Sequence, residues 1–221
     1  SHWLQRNPSM RWQGDMPDAE LVDRFLHPCD RAYRVPDIEA WAHDAGMQVI
    51  DFVPRLLYDA GTWLPRGPVR DAVLALPRLT RYAFTELWLG ALDKHSFFLE
   101  AAAHPAPPAA TLQADDSDAG AWVPHFLPGP AAPLAKRLAE QPRLPLQLGP
   151  IQVQLPIPTS PLALHILAGV DSQRSFSDIL QANSDSPPLL EAIAAFAPIY
   201  DALHNASLMA LTRSRSTQGH V

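Results

Sequence analysis

The sequence predicts an α+β fold that is mostly helical. The first observation is a helical apolar stripe over residues 35–46, which ends at Gly46 and is followed by an alternating, strand-like segment. The second is a pair of alternating segments on either side of Gly149-Pro150, a pattern typical of a β-hairpin. The third is the composition, because 47% hydrophobic and 18% charged residues are the balance of a folded globular chain.

Charge and cysteine content exclude several functional classes. The 221 residues carry a formal charge of −6, so the chain lacks the positive footprint that binds nucleic acid or anionic lipid. Cys29 is the only cysteine, which rules out an internal disulfide and a cluster of thiolate zinc ligands. No apolar run has the length of a membrane span, and residues 1–17 contain no apolar signal segment. We therefore expect a cytoplasmic protein whose partners include neither a membrane nor nucleic acid.

Two helices are predicted near the front of the chain. Residues 16–28 form a short helix that Asp18 can cap and that Pro28 ends. In the second helix, Pro36 suits the first turn, because a proline there sacrifices no helical hydrogen bond. Gly46 stands where a left-handed C-terminal cap belongs, so this helix is expected to end there.

A strand and an irregular passage are predicted next. Residues 47–53 alternate, with Val49 and Asp51 on one side, and we expect burial mainly on one face. Residues 54–77 are rich in loop-forming residues and are expected to contain little helix. Helix, glycine and strand together have the form of the last part of an α/β layer.

A linker is predicted to divide the chain into two domains. Residues 77–102 are expected to form one long helix, which Gly90 weakens by about 1 kcal/mol relative to alanine. Proline, alanine and aspartate without periodicity then indicate a linker over 104–129. The predicted domains are therefore residues 1–103, which include the long helix, and residues 130–221.

The second domain is predicted to consist of short helices around one hairpin. The hairpin occupies residues 143–156, with its prolines at edge positions. Ser175 can cap a helix, and Asp178 stands at the matching capping-box position. Pro198 is expected to kink or divide a longer helix, and the polar tail from about residue 213 is expected to be disordered. The remaining predicted elements are helices over 131–141 and 160–170 and an edge strand over 206–211.

A cluster of reactive side chains separates the first two helices. His27, Asp30, Arg31 and Tyr33 lie within seven residues of one another. One interpretation is a ligand-binding loop at the rim of an α/β sheet, in which His27 or Asp30 is a general base and Arg31 holds an anion. The other is a structural turn, in which Asp30 caps a helix, Arg31 pairs with a carboxylate and Tyr33 fills the edge of a core. The spacing alone leaves both interpretations open.

Other candidate residues give weaker signals. His27 and Cys29 are two positions apart, but no second ligand pair follows at zinc-site spacing, so no metal site is predicted. A hydrolase built on His27, Cys29 or Asp30 would lack an oxyanion-hole motif. His95 could project into a cleft from the long helix, although histidines on such helices more often lie at the surface. Similar isolated histidines are His125 and His165.

Several motifs are absent from the sequence. There is no glycine-rich phosphate loop, no nucleophile elbow and no strand followed by a Gly-x-Gly cofactor motif. The hairpin and helix pair over residues 143–182 resemble a winged-helix module, but the second helix carries none of the arginines or lysines that a DNA-reading helix needs. A protein-contact or regulatory module is the better interpretation of that region.

The segment over residues 26–53 resembles a known family. It is similar to the end of the catalytic domain of bacterial class I S-adenosylmethionine-dependent methyltransferases that carry a C-terminal extension. In that family the catalytic domain closes with a helix that ends in a short Ala-Gly motif before a strand, and here Ala45-Gly46-Met47 ends such a helix. The stretch "LDKHSFFLE" over 92–100 and the winged-helix-like region resemble later parts of such proteins. The matching positions in the first segment are Leu26, His27, Asp30, Arg31, Tyr33 and Val35.

The resemblance implies that this chain is part of a longer enzyme. The family binds S-adenosylmethionine through a glycine-rich loop and an acidic residue that this sequence lacks. The chain would therefore be the remnant of a Rossmann-like layer followed by a winged-helix-like domain, inactive alone and unable to bind the cofactor alone. Its partner would be the missing N-terminal methyltransferase half or another protein. The same resemblance would place Asp30, Arg31 and Tyr33, with His27, near the substrate side of the pocket.

A second hypothesis requires no catalysis. The acidic chain and its second module could form a stand-alone interaction or regulatory protein that binds a partner protein.

Overall fold

Two compact units make up the chain, residues 1–34 and residues 35–221. Most of the helix predicted over 16–28, and the tail beyond Arg213, lie outside the described residues. Of the predicted linker, residues 106–111 and 113–117 also lie outside them. The structure is a computed structural model that describes residues 17–19, 31–105, 112, 118–182 and 187–213.

Short helices and short strands, in mixed order, make up the described part of the second unit. Two short 3₁₀ helices, Arg55–Leu57 and Ala119–Ala121, lie between the longer elements. In chain order the helices and strands are α1 Val35–Asp44, β1 Met47–Phe52, α2 Ala60–Trp63, α3 Pro68–Leu74, α4 Arg78–Leu89, β2 Phe97–Ala101, β3 Trp122–Phe126, α5 Ala132–Glu140, β4 Arg143–Leu148, β5 Ile151–Pro156, α6 Pro161–Ala168, α7 Phe176–Gln181, α8 Leu189–Asn205 and β6 Met209–Arg213.

The fold class is α+β, as the sequence predicts. Each strand of the described residues pairs with one antiparallel neighbour, so the strands form three two-stranded sheets: β1 with β2, β3 with β6, and β4 with β5.

The helix, glycine and strand predicted near the front of the chain are confirmed. Helix α1 ends at Asp44, and Gly46 has a φ of +69°, a left-handed conformation that costs glycine little. Strand β1 then pairs with β2, and the pairing register shifts between Val49 and Asp51. This bulge interrupts the simple alternation, so that Asp51 and Phe52 are both buried.

The single long helix predicted over residues 77–102 is wrong beyond Leu89. Gly90 has a φ of +59° and its N–H donates to the Glu86 carbonyl, which ends α4 with a left-handed cap. Residues Phe97–Ala101 then form β2 instead of continuing the helix. The partner of β2 is more than forty residues away in β1, and a local apolar pattern carries no information about that pairing.

The passage over 54–77 contains more helix than predicted. The Asp59 side chain accepts a hydrogen bond from the Gly61 N–H and caps α2. Pro68 occupies the first turn of α3, where its missing N–H costs nothing. These helices are short, and such short elements are stabilised by packing more than by periodicity.

The elements predicted for the second half are largely confirmed. The β4–β5 hairpin turns at Gly149, and the reciprocal hydrogen bonds of the capping box join Ser175 and Asp178. Pro198 lies inside α8 without dividing it. Part of the predicted linker is strand β3, because residues 122–126 pair with β6 near the end of the described chain.

Two main hydrophobic clusters form the core of the second unit. One surrounds α8 and includes Phe176, Phe196 and Tyr200. The other surrounds Phe52 at the end of β1 and includes side chains of α1 and α4; the ring of Phe52 contacts the rings of Tyr58 and Tyr82. Across the described residues, every helix is too short or too polar to cross a membrane.

Candidate functional site

Asp51, at the end of β1, is the most deeply buried carboxylate at the site, with only 5% of its surface exposed. An isolated buried carboxylate is costly unless hydrogen bonds and opposite charges compensate it. The Tyr82 hydroxyl donates to Oδ1 at 2.9 Å, and the Arg55 Nε contacts Oδ2. The Arg78 Nη1 lies 3.4 Å from Oδ1. Two guanidinium groups and one phenol therefore compensate a single carboxylate.

Arg78 also fixes the edge of the strand. Its guanidinium donates to the carbonyls of Val49 and Ile50, with a distance of 2.9 Å from Nη2 to the Val49 oxygen. These are the carbonyls at the bulge. Arg78 is the first residue of α4, so this contact joins the helix to the strand directly beside Asp51.

A cavity of about 580 Å³ opens beside Asp51. Its size is within the range that proteins use for small-molecule sites. Strands β1 and β2, the turn after β1, the start of α2, helix α4 and the end of α8 supply its walls. The lining residues are Gln48, Val49, Ile50, Asp51, Arg55, Tyr58, Asp59, Ala60, Arg78, Arg81, Tyr82, Glu100 and Asn205.

A second hydrogen-bonded chain begins at the cavity wall. The Tyr58 hydroxyl lies 2.7 Å from Nδ1 of His95. The other ring nitrogen, Nε2, lies 3.4 Å from Oε1 of Glu86, and Oε2 of Glu86 accepts the Val35 N–H at 3.0 Å. The His95 and Glu86 side chains are only 8% and 11% exposed. Tyr58, His95 and Glu86 therefore form a phenol–imidazole–carboxylate chain that is largely shielded from water.

Both cavity tyrosines are held in the neutral form. Burial, followed by the charge and hydrogen bond of Asp51, raises the pKa of Tyr82 to about 12. Burial, followed by the charge of Glu86, raises the pKa of Tyr58 well above its ordinary value. Each hydroxyl therefore keeps its proton at neutral pH and can donate a hydrogen bond.

Arg81 completes the wall on the α4 side. Its Nη1 lies 3.4 Å from the Leu74 carbonyl oxygen, which is a long hydrogen bond. Its Nε is buried, and no hydrogen-bond partner for it exists within the described parts of the chain. The site thus combines a positive group, neutral phenol donors and an imidazole that can accept a proton.

The residues predicted between the first two helices are only partly described. His27, Cys29 and Asp30 lie outside the described residues. The guanidinium carbon of Arg31 is 5.1 Å from the ring centre of Tyr33, a cation–π contact between two exposed side chains. The substrate-side role assigned to these positions stays a prediction.

Of the isolated histidines, His95 is the one with a distinctive environment. It was expected in a helix, but it lies in the connection between α4 and β2. His125 on β3 bonds the Thr212 hydroxyl across the strand pair at 2.7 Å. Searching residues 17–19, 31–105, 112, 118–182 and 187–213 for three His, Cys, Asp or Glu side chains that could hold a metal gives no group.

Sequence reasoning did not single out the residues that build the cavity. Asp51 was noticed only as part of an alternating strand, although a charged residue on the buried side of a strand is a useful signal. Tyr58 and Arg81 lie in segments interpreted as a loop and as a long helix. Their approach to Asp51 depends on the packing of α4 against α1 and β1, which no local pattern reveals.

Comparison with known proteins does not identify a family. No protein-family model matches the chain, and no curated protein matches its sequence. Function must therefore be argued from the residues and from the geometry of the cavity.

Proposed function

We propose that this chain supplies the substrate-side and accessory region of an S-adenosylmethionine-dependent methyltransferase. The observation that carries the proposal is the segment over residues 26–53, whose residues resemble the end of that catalytic domain. The α1–Gly46–β1 unit in this segment leads directly to the wall of a ligand-sized cavity. The cavity would hold the methyl acceptor.

The finer architecture follows from the same proposal. The α1–β1 unit would be the remnant of a Rossmann-like layer, completed by strands from outside the described residues. The hairpin β4–β5 with α6 and α7 would form the winged-helix-like accessory module. Its second helix, Phe176–Gln181, contains no basic residue, which favours a role in protein contacts or regulation over DNA binding.

The described residues do not fit the methyl donor. None of the described strands is followed by the glycine-rich loop through which the family binds its cofactor; β1, which resembles a late strand of that domain, leads to Val53, Pro54 and a 3₁₀ helix. Glycine amides are what such a loop offers to an anionic or polar cofactor. No residue of this chain is therefore assigned to S-adenosylmethionine.

This chain's own residues would orient the acceptor and remove its proton. Methyl transfer depends mainly on alignment, with a base where the acceptor is protonated. An acceptor proton can pass to the Tyr58 oxygen while the Tyr58 proton passes to Nδ1 of His95. This exchange requires neutral His95 with its proton on Nε2, the tautomer that the Glu86 carboxylate at 3.4 Å favours. Tyr58 then remains neutral throughout, as its raised pKa requires.

Calorimetry with S-adenosylmethionine tests the proposal. The protein encoded by the complete reading frame should bind the donor with a Kd of about micromolar order, while the 221-residue chain should give no binding heat. Alanine at His95 in the complete protein should leave donor binding unchanged, because His95 is assigned to the acceptor side. A complete protein that releases no heat with the donor would exclude methyl transfer.

A protein-interaction module is the second candidate. It is favoured by large apolar side chains that stay exposed on the second unit, including Trp41 on α1 and Leu87 and Trp88 on α4, which are 55%, 64% and 54% exposed. Isolation of one stoichiometric partner protein, together with a reading frame that lacks any glycine-rich loop, would favour this candidate over the methyltransferase.

A further inference from the structure

We propose that the cavity binds the carboxylate or phosphate group of a small molecule, with Arg81 as its anchor. The argument starts from the guanidinium of Arg81. Within the described residues it has no carboxylate at ion-pair distance, and its best hydrogen bond is the 3.4 Å contact with the Leu74 carbonyl. Its Nε is buried and has no hydrogen-bond partner there. Such a buried donor without an acceptor is costly, so a site that keeps one is expected to use it.

The other charges around the cavity do not neutralise Arg81. Asp51 is already shared by the guanidinium groups of Arg55 and Arg78. Asp59 accepts hydrogen bonds from Gly61 and Thr62 at the start of α2.

Glu100 is engaged as well, because it accepts a hydrogen bond from Gln48 at 2.6 Å. Over the whole lining three arginines balance three carboxylates, but each of these carboxylates is already engaged by groups other than Arg81. Within the described residues, the guanidinium of Arg81 therefore has no carboxylate paired with it.

The geometry favours an oxyanion over other ligands. The Nε and Nη groups of arginine form a fork that matches two oxygens of a carboxylate or phosphate. The side-chain amide of Asn205 is a further donor in the same lining. A cavity of about 580 Å³ has room for a small organic molecule beyond its anionic group.

The anion site goes beyond methyl transfer and does not depend on it. If the cavity holds a methyl acceptor, the anion is a group of that acceptor. Because the site is formed by described residues of this chain, it can be tested without any methyl donor, and its failure would leave the calorimetric test of donor binding untouched.

Nuclear magnetic resonance titration of the 221-residue chain tests the site. Inorganic phosphate and acetate are added separately at constant ionic strength, with sodium chloride as the balancing salt. The Nε–H resonance of Arg81 should shift saturably with at least one anion, with a Kd of about 1 mM, a value reasonable for so small a ligand. Saturation by phosphate alone assigns a phosphate-bearing ligand, and saturation by acetate alone assigns a carboxylate.

Variants distinguish specific binding of the anion by Arg81 from a general effect of the net charge of the chain. Arg81→Gln, followed through the Tyr82 backbone amide, should weaken binding about tenfold or more, since a charged hydrogen bond is lost. Arg137→Gln makes the same charge change on the exposed face of α5 and should leave the affinity unchanged. Arg81→Lys keeps the charge without the fork and should weaken binding by less than Arg81→Gln; it stands in for that variant if Arg81→Gln does not fold.

Two results would overturn the proposal. One is a linear response to both anions that matches the response to chloride. The other is saturable binding that keeps the wild-type affinity in Arg81→Gln or, where that variant does not fold, is lost equally in Arg81→Lys and Arg137→Gln.

Discussion

Asp51 is buried, so its carboxylate cannot be solvated by water. Three side chains, those of Tyr82, Arg55 and Arg78, compensate its charge instead. Its carboxylate receives the Tyr82 hydroxyl and lies against Arg55 and Arg78, whose side chains remain 34% and 39% exposed. Burial of one partner and partial exposure of the other two places this network between a surface ion pair and a fully buried one. Its removal should therefore have an intermediate cost.

Asp51→Asn should lower the free energy of unfolding by about 2 kcal/mol. The amide keeps the shape and can still accept from Tyr82, but both arginines lose their counter-charge. Urea unfolding at neutral pH measures the change. Asp44→Asn is the matched control, because the Asp44 side chain is 85% exposed, and its effect should stay within about 0.5 kcal/mol. Equal stability of the two variants would contradict the account of the network.

Tyr82 should make the stability fall at alkaline pH. Its pKa is raised to about 12 in the folded protein, so the neutral phenol is favoured by folding. That contribution is fully present below the unfolded pKa of about 10 and is lost as the pH rises through about 12. The difference in unfolding free energy between wild type and Tyr82→Phe should shrink by about 2 kcal/mol from pH 9 to pH 12. Parallel pH curves for the two proteins would contradict the assignment.

At the residue scale, the sequence draws attention to residues of a reactive type, such as histidine, but it does not show which of them lie at the cavity. His95 was noted as a residue that could face a cleft, and it does take part in a buried chain with Tyr58. Arg81 was not noted, since an arginine in a predicted surface helix carries no visible signal. The role of each residue depends on the side chains that surround it, and these belong to other elements that the local sequence does not reveal.

Among the elements, the end of α4 decides how the first half folds. If the helix ran on, residues 97–101 could not pair with β1, and the cavity would lose the strand that carries Glu100. Gly90 ends the helix in a conformation that other residues adopt with difficulty.

Gly90→Ala should lower the unfolding free energy by about 1 kcal/mol. Among the described residues, the only atom within 4 Å of the added Cβ is the Leu87 carbonyl oxygen at 3.9 Å, so the cost is conformational and not a clash. Gly90→Asn should cost less, because asparagine tolerates the left-handed conformation. Chemical unfolding of the three proteins gives the comparison. A stabilising effect of alanine would mean that the helix continues through residue 90, as its apolar pattern alone suggests.

Elements with strong local signals were predicted well. The β4–β5 hairpin, the Ser175 capping box and the Gly46 helix end each depend on a few adjacent residues. Elements that depend on distant partners were missed, namely β2 and β3, whose pairing partners are β1 and β6. Strand propensity is weak without knowledge of the neighbouring strand, which explains why the errors concentrate there.

For the whole molecule, the cavity is the feature that joins fold and function. Its walls come from the beginning of the second unit and, through Asn205, from the end of α8. No sequence motif marks it, because the lining residues are spread over more than 150 positions. The proposed methyltransferase role therefore depends on whether this cavity adjoins the donor in the complete protein.

The most direct test observes the cavity while the donor binds. S-adenosylmethionine is added to the complete protein carrying isotope-labelled tyrosine rings, and the ring resonances of Tyr58, Tyr82 and Tyr200 are followed. The account predicts saturable shifts for Tyr58 and Tyr82, which line the cavity, and none for Tyr200, which lies in the core around α8. Donor binding that leaves Tyr58 and Tyr82 unshifted, or no donor binding at all, would contradict it.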